Sequence, residues 1–396
     1  MPSPSLQLGE KIRVAHVITR FHGAGGAKNT LFTCAGLDKD RFEVDLVVGR
    51  SADRWRAEGA GVNWIQVSSM RRDLHPLWDT RAALDLLKLF RQWRYHIVHT
   101  HLAKAGIVGR WAAQRADIPI IIHGLHGATF NPTQGRLTNA AYRVLERRAA
   151  NWSDRIVSVG EDLKQRYLET GIGKPAQYDI INSGMDLDAF TAARVNKVAR
   201  RQAIRSELGL DESDFVAGYV AALEWRKGHR YLIDVASQLS PSYTRLKFLF
   251  VGEGFDRERL GGMVEEAGLD DVIIFTGYRT DVADVMAAMD VHLFASEREG
   301  LPQVLVQSAA VGLPVMAFEA EGVREMVYDG VNGYVFAHGD VDAMAAALED
   351  LIHRPELAHV MGANAPVLVD DRWQIETMQY KTQELYDSLL REKGLQ

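Results

Sequence analysis

The feature that most constrains this chain is an alternation of short apolar runs with longer amphipathic ones, which breaks once and then starts again. Lys11–Ile18 reads as a buried first strand, followed by a helix over Lys28–Leu37. Phe42–Val48 is a strand, Ala82–Trp93 a helix, Ile97–His101 a strand and Lys104–Ala116 a helix. Pro119–His123 is a strand, then a helix runs from about 138 to 150, Arg155–Val159 is a strand, a helix begins at Glu161, and Tyr178–Ile181 is a strand. Strands alternating with helices of this length mean βαβ units, and the first strand, largely apolar, reads as buried in a parallel sheet. Ser183–Phe190 turns the chain out of that sheet, and residues 191–212, polar and rich in Arg and Lys, read as a domain crossing. The alternation resumes with strands at Phe215–Ala221, Lys247–Val251, Val272–Phe275 and Val291–Ala295. Between them lie helices at His229–Leu239, Arg257–Ala267 and 282–289. The expected architecture is α/β: two facing Rossmann-like domains, each a doubly wound parallel sheet, with a cleft between them.

A length of 396 residues agrees, being more than one hydrophobic core usually serves. The single cysteine, Cys34, permits no internal disulfide and no thiolate zinc site. No apolar run approaches the roughly 20 residues that span a bilayer, and residues 1–20 carry no signal-peptide pattern, so a cytoplasmic location is expected. Charge is uneven. Residues 1–150 hold 22 Lys and Arg against 12 Asp and Glu, leaving 24 against 40 in the remainder of the totals of 46 and 52. A basic first half suits an anionic partner such as a membrane surface; it equally suits a solvated face.

Chemistry concentrates in Ser296–Val315, which follows the strand at Val291–Ala295. Pro302 fits a first helical turn, and Val304, Leu305, Ser308, Ala309 and Gly312 recur at helical steps. A strand, a turn and a helix in this order aim open backbone N–H groups, here near Gly300 and Leu301, at an anion above the turn. Glu299 stands beside that cradle and Gln307 about two turns along. A carboxylate next to an anion site serves hydroxyls, and a sugar on a diphosphate satisfies both halves. In Ala222–His229, after the first strand of the second half, Lys227 is placed to neutralise a leaving diphosphate, and Arg226 is ambiguous.

In the first half, Thr19–Ala27 is a glycine-rich turn, with Gly23, Gly25 and Gly26, between first strand and first helix. Such a turn lets backbone approach a diphosphate, though many α/β turns need glycine for geometry alone, and the full dinucleotide fingerprint is missing. Ligands gather at the carboxyl ends of parallel strands. His126, between glycines in a loop on that rim, is the candidate for substrate contact; His99, His101 and His123 read as histidines at strand ends. Met70–Trp78, basic and aromatic, suits an anionic or lipid-linked acceptor or a plain connecting loop.

These motifs resemble the retaining glycosyltransferases of family 4, of the GT-B fold. The likeness runs through Gly25–Ala27, Val98–Gly106, His126–Gly127, Ser183–Asp186, Arg226–Gly228, Val251–Gly254 and Glu299–Pro302 to Gly312–Val315. It implies an N-terminal acceptor domain over 1–190 and a donor domain over 191–371, with a terminal helix at about 372–396 crossing back to the first. It assigns Glu299 to sugar hydroxyls, Lys227 to the diphosphate, His126 to the reacting centre, and Gly25 and Gly26 to backbone contacts with the donor. Gly252, Gly277, Tyr278, Arg279, Gly300 and Leu301 complete the implied donor site, the 277–279 loop lying near the base. Two positions depart from the family. The second glutamate, which holds the ribose, is Gln307, able to accept from a hydroxyl only without charge. The usual phosphate-binding arginine falls on Ala222.

The implied reaction is metal-independent, cofactor-free transfer of a sugar from a nucleotide-diphosphate donor to a hydroxyl acceptor, with retention. The implied acceptor is a surface polysaccharide or lipid-linked glycan, as in lipopolysaccharide synthesis. No paired carboxylates at glycosidase spacing are evident. Two rivals share the architecture: a sugar-nucleotide epimerase, betrayed by an isomerised donor without acceptor, and a non-catalytic nucleotide-sugar-binding protein, motivated by Ala222 and Gln307.

Overall fold

A computed structural model describes residues 10–21, 25–50, 53–71, 75–130 and 135–395. The chain divides into two compact units, residues 1–185 with 372–396, and residues 186–371.

The first unit begins with β1 (Ile12–Ile18), α1 (Gly25–Ala35), β2 (Phe42–Val48), α2 (Arg54–Gly59), β3 (Asn63–Gln66), α3 (Pro76–Trp93) and β4 (Ile97–His101). It continues with α4 (Ala103–Arg115), β5 (Ile120–Leu125), α5 (Arg136–Ala150), β6 (Arg155–Ser158), α6 (Glu161–Glu169) and β7 (Tyr178–Ile180). The seven strands form one parallel sheet in the order β3-β2-β1-β4-β5-β6-β7. Strand order reverses between β1 and β4, and ligands bind outside the carboxyl ends at such a point. The sequence reading missed α2 and β3, and placed Pro76–Trp78 in a loop where the structure has the first turn of α3. β3 is a half-exposed edge strand whose residues Asn63 and Gln66 face solvent, so it lacks the apolar run of a central strand.

The second unit comprises α7 (Asp188–Val195), α8 (Lys197–Glu207), β8 (Phe215–Val220), α9 (His229–Leu239), β9 (Leu246–Val251), α10 (Arg257–Glu266) and β10 (Ile273–Gly277). After these come α11 (Val282–Ala287), β11 (Val291–Phe294), α12 (Gln303–Val311), β12 (Val315–Phe318), β13 (Gly333–Phe336), α13 (Val341–His353) and α14 (Pro355–Asn364). Its six parallel strands run β10-β9-β8-β11-β12-β13, with the order reversing between β8 and β11. The polar stretch at 191–212 is not a linker. It folds into α7 and α8, and Phe190, Ala193 and Ile204 join the core around Val285–Met289. Arg205, buried among them, donates to the carbonyls of Asp211, Asp214 and Ala288 and to Asp290. A buried charge is tolerated when it is paired and fully hydrogen-bonded, and this one holds α8 to the turn before β8.

The chain ends in α15 (Ile375–Glu392), which packs on the first unit. Met378, Leu385, Tyr386, Leu389 and Leu390 sit in one cluster with Ile12, Val14, Phe42, Ile97 and Ile120. Arg41 grips Asp387 at 2.6 and 3.1 Å across the same seam.

Candidate active site

Lys227 follows β8 and Glu299 follows β11, the two strands at the switch point of the second sheet. Gly228 takes a left-handed conformation (φ 73°), and a Cβ there would lie 2.0 Å from the Ala295 carbonyl oxygen. Only glycine allows the post-β8 loop to lie this close to the post-β11 loop. The two loops are tied by Glu297 N–H donating to Arg226 O at 2.9 Å, while Tyr219 hydroxyl donates to Lys227 O at 2.7 Å. So held, the Lys227 ammonium meets the Glu299 carboxylate, which also accepts from the buried Ser296 hydroxyl at 2.7 Å. Lys227 and Glu299 are 16% and 17% exposed, covered enough for a strong interaction yet within a ligand's reach.

Gly300 and Leu301 follow directly, buried at the start of α12, which Pro302 caps. Among the described residues their N–H groups have no acceptor. They lie beside the first turn of a helix, where backbone donors and the helix dipole favour negative charge. Gln307 sits half-buried on α12.

The other donor-site candidates divide. Arg226 is turned to Glu224 at 2.8 Å, and Ala222 is exposed. Gly252 (φ 143°) and Gly254 have a packing reason: a Cβ at either would meet a backbone oxygen, of Ala221 at 2.2 Å and of Leu223 at 2.3 Å. Gly277 is half-buried with φ 72°, and Tyr278 is 72% exposed with its ring open to a stacking partner. Arg279 is held by Glu207 and by Asp281 at 2.7 Å, and those carboxylates raise its pKa, so its charge is answered inside the protein.

In the first unit, Gly23 lies outside the described residues, whereas Gly25 and Gly26 form the first turn of α1. A Cβ on Gly26 would touch His126 at 3.4 Å, so the helix start abuts that imidazole. His126 is half-buried, and burial pushes its pKa down to about 4. His99 and His101 are not loose ends of strands. Both are buried within β4, on the same face as their β1 neighbour His16, and form a hydrogen-bonded chain with His126. His123 is buried too, with Nδ1 3.2 Å from Thr100 O. Of Met70–Trp78, residues 72–74 lie outside the described residues, and Arg71 stacks on Trp78 at 3.6 Å.

A cavity of about 1020 Å³ in the second unit lies elsewhere. It is lined by Phe215, Leu246, Asp290 and Pro314, at the amino ends of the strands, and holds neither Lys227 nor Glu299. Lys227 and Glu299 stand at the switch point instead.

With this geometry in hand, comparison with known proteins is decisive about family. The family described as "Glycosyl transferases group 1" matches residues 200–367, and "Glycosyl transferase 4-like domain" matches residues 24–184, most of the chain between them. The chain belongs to the group 1, family-4-like glycosyltransferases of GT-B fold. It is 26% identical, over 97% of its length and 98% of the relative's, to an Escherichia coli UDP-Gal:alpha-D-GlcNAc-diphosphoundecaprenol alpha-1,3-galactosyltransferase. It is 28% identical to the Bacillus subtilis putative glycosyltransferase EpsD over 70% of this chain and 73% of that one. In fold it resembles the Anabaena protein HepE in complex with UDP and glucose (TM-score 0.80, 20% identity, 95% of this chain and all of that one). A sucrose-phosphate synthase of Thermosynechococcus elongatus is similar (TM-score 0.78, 18% identity, 96% of this chain and all of that one).

Proposed function

We propose that this glycosyltransferase moves a sugar from a nucleoside diphosphate to a hydroxyl acceptor with retention, using neither a metal ion nor a cofactor beyond the donor. The observation that carries this reading is the contact of Lys227 with Glu299 beside the open N–H groups of Gly300 and Leu301. The ammonium and the N–H groups receive the diphosphate, supplying the countercharge that a divalent ion would otherwise bring. Glu299, still held by Ser296, takes the sugar hydroxyls. Gln307 accepts from the ribose, and the exposed face of Tyr278 stacks on the base.

As the bond from the anomeric carbon to the phosphate oxygen lengthens, negative charge grows on that oxygen, where Lys227 and the amides stabilise it. The acceptor oxygen then bonds to the anomeric carbon on the face the phosphate leaves, and the acceptor proton passes to the departing phosphate oxygen. Glu299 accepts from Ser296 and from the sugar hydroxyls, so it is not the covalent nucleophile in this reading. Within the first unit, His126 and the Gly25–Gly26 turn are the groups available to a substrate hydroxyl. The relatives named for capsular polysaccharide and diphosphoundecaprenol-linked substrates favour a surface glycan or lipid-linked acceptor.

The test is turnover of the purified chain with UDP-, GDP- and ADP-sugars and a lipid-diphosphate-linked sugar, the product anomer being read by NMR. Lys227→Ala is expected to lower kcat by about 2–4 kcal/mol of transition-state stabilisation. Unchanged turnover, or an inverted product, would sink the assignment.

A further inference from the structure

The rim histidine is the visible end of a buried chain of hydrogen bonds. His126 Nε2 meets His101 Nδ1 at 3.0 Å, His101 Nε2 meets His16 Nδ1 at 2.9 Å, His16 Nε2 meets the Tyr386 hydroxyl at 3.1 Å, and that hydroxyl meets His99 Nδ1 at 2.8 Å. His16, His99, His101 and Tyr386 are 0–3% exposed. The chain joins β1, β4, the residue after β5, and the C-terminal helix α15. Gly124 leaves room for it: a Cβ there would lie 2.8 Å from His101 Nδ1.

A neutral imidazole carries one N–H and one lone pair, and the tyrosine has one proton to give. Each bond needs one donor and one acceptor, so the direction of one bond sets all the others. If Tyr386 donates to His99, then His16, His101 and His126 each donate through Nε2, and all four rings are Nε2–H tautomers. If Tyr386 donates to His16, all four are Nδ1–H tautomers. A mixed arrangement, in which the Tyr386 oxygen accepts from both His16 and His99, leaves the buried tyrosine proton without an acceptor among the described residues, a cost the two uniform arrangements avoid. Burial lowers the pKa of every ring, to about 3 for His16 and about 4 for His126, which keeps all four neutral at pH 7.

The far end chooses between the two. His99 Nε2 has no partner among the described residues and lines a cavity of about 20 Å³, large enough for a single water. Thr33 and Thr382 line it too, with their hydroxyl protons given to Asn29 O at 3.0 Å and Met378 O at 2.8 Å, so their oxygens offer lone pairs to the cavity. An Nε2–H can donate to those oxygens directly, whereas a bare nitrogen facing the same lone pairs needs a water that donates to it. The Nε2–H form is also the intrinsically preferred tautomer of neutral histidine.

We propose that Tyr386, His16 and His101 are positioning residues that lock His126 in the Nε2–H tautomer, leaving its Nδ1 lone pair to accept a hydrogen bond from a sugar hydroxyl. Nδ1 of His126 has no partner among the described residues. The hydroxyl contact rests on the functional reading above; the lock rests on the chain alone. The last helix thereby sets the hydrogen-bonding sense of a group on the binding rim of the first unit.

The test uses the full chain labelled with ¹⁵N-histidine, with tautomers read at pH 7 from long-range ¹H–¹⁵N correlations. The expected spectrum has His16, His99, His101 and His126 all protonated at Nε2. Nδ1–H at any of the four, an imidazolium, or a stoichiometric transition metal on these nitrogens would overturn the lock. In Tyr386→Phe, His16 Nε2–H would face a ring without an acceptor. A buried unpaired N–H is less tolerable than an unpaired lone pair, so His16, His101 and His126 are expected to switch together to Nδ1–H. His126 then offers a donor where it had an acceptor, and kcat/KM for the donor should fall roughly tenfold with the fold intact. Retention of Nε2–H at His126 in that variant overturns the proposal. If His126→Ala leaves turnover unchanged while the four rings of the parent are all Nε2–H, the lock stands and the hydroxyl contact fails.

Discussion

His229, the first residue of α9, offers a quantitative test of burial in the donor unit. It is 1% exposed, neither ring nitrogen has a hydrogen-bond partner among the described residues, and it packs against Tyr219 and Phe250 with centroids 4.7 and 5.1 Å away. Burial, and secondarily the Lys227 charge, push its pKa from 6.5 to about 3. The folded state therefore resists a proton that the unfolded state takes up readily. Above pH 6.5 neither state is protonated and the group adds no pH dependence. As pH falls from 6.5 towards 3, only the unfolded chain binds the proton, so stability drops by about 1.36 kcal/mol per pH unit. Below pH 3 both states are protonated and the loss levels off. From pH 7 to pH 5 this one residue removes about 2 kcal/mol, a large part of a typical stability of about 5–15 kcal/mol. His229→Phe keeps a flat ring among aromatic neighbours and removes the titration. Urea unfolding of both chains at pH 7, 6 and 5, followed by circular dichroism, gives the assay. The variant is expected to lose about 2 kcal/mol less than the parent between pH 7 and pH 5 in the transition the substitution shifts. Packing changes cancel in that difference because both measurements are on the same variant. Equal losses in the two chains would refute a buried, neutral His229.

Two further outcomes follow from the first unit. Arg110 and Glu146 form a wholly buried ion pair at 2.6 Å, so Glu146→Leu alone should cost about 3–5 kcal/mol in urea unfolding, whereas Arg110→Met with Glu146→Leu recovers most of it; equal losses would contradict an unpaired buried cation as the cause. Helix α5 exposes Leu137, Val144 and Leu145 among Arg136, Arg143, Arg147 and Arg148, a pattern suited to an anionic membrane surface, and no described helix is long and apolar enough to cross one. Leu137→Ser with Val144→Ser should weaken co-sedimentation with phosphatidylglycerol vesicles several-fold, and added salt should weaken the parent's binding; salt-independent binding, or none by the parent, argues against that surface.

What could be read from the sequence follows from which forces are local. The central strands were legible because a strand buried on both faces is mostly apolar, as β1, β9 and β11 are, and because strands and helices alternate regularly, which locates β4 despite His99, Thr100 and His101. The Lys227 and Glu299 positions were legible for a related reason: each follows a strand, and the alternation itself locates the switch point. Where burial rests on few residues, the reading failed. α8 presents Lys, Arg, Arg, Gln and Arg to the eye, and its buried positions are Ile204 and an arginine whose acceptors come from a later turn and from Asp290. No local pattern announces such a helix.

The histidines mark the deeper limit. Taken singly, His16, His99 and His101 look like polar interruptions in apolar strands, and Tyr386 like one more aromatic on an amphipathic helix. Their meaning lies in pairings up to 370 residues apart, which spacing cannot reveal. Each of these rings would be an expensive buried polar group alone; linked in one line, each satisfies the next. A line of that kind cannot be shortened at one end without consequence at the other, because the tautomer of every ring is shared. That is why a helix at the end of the chain, remote in sequence from the rim, belongs to the chemistry of His126 rather than only to the packing of the unit it closes.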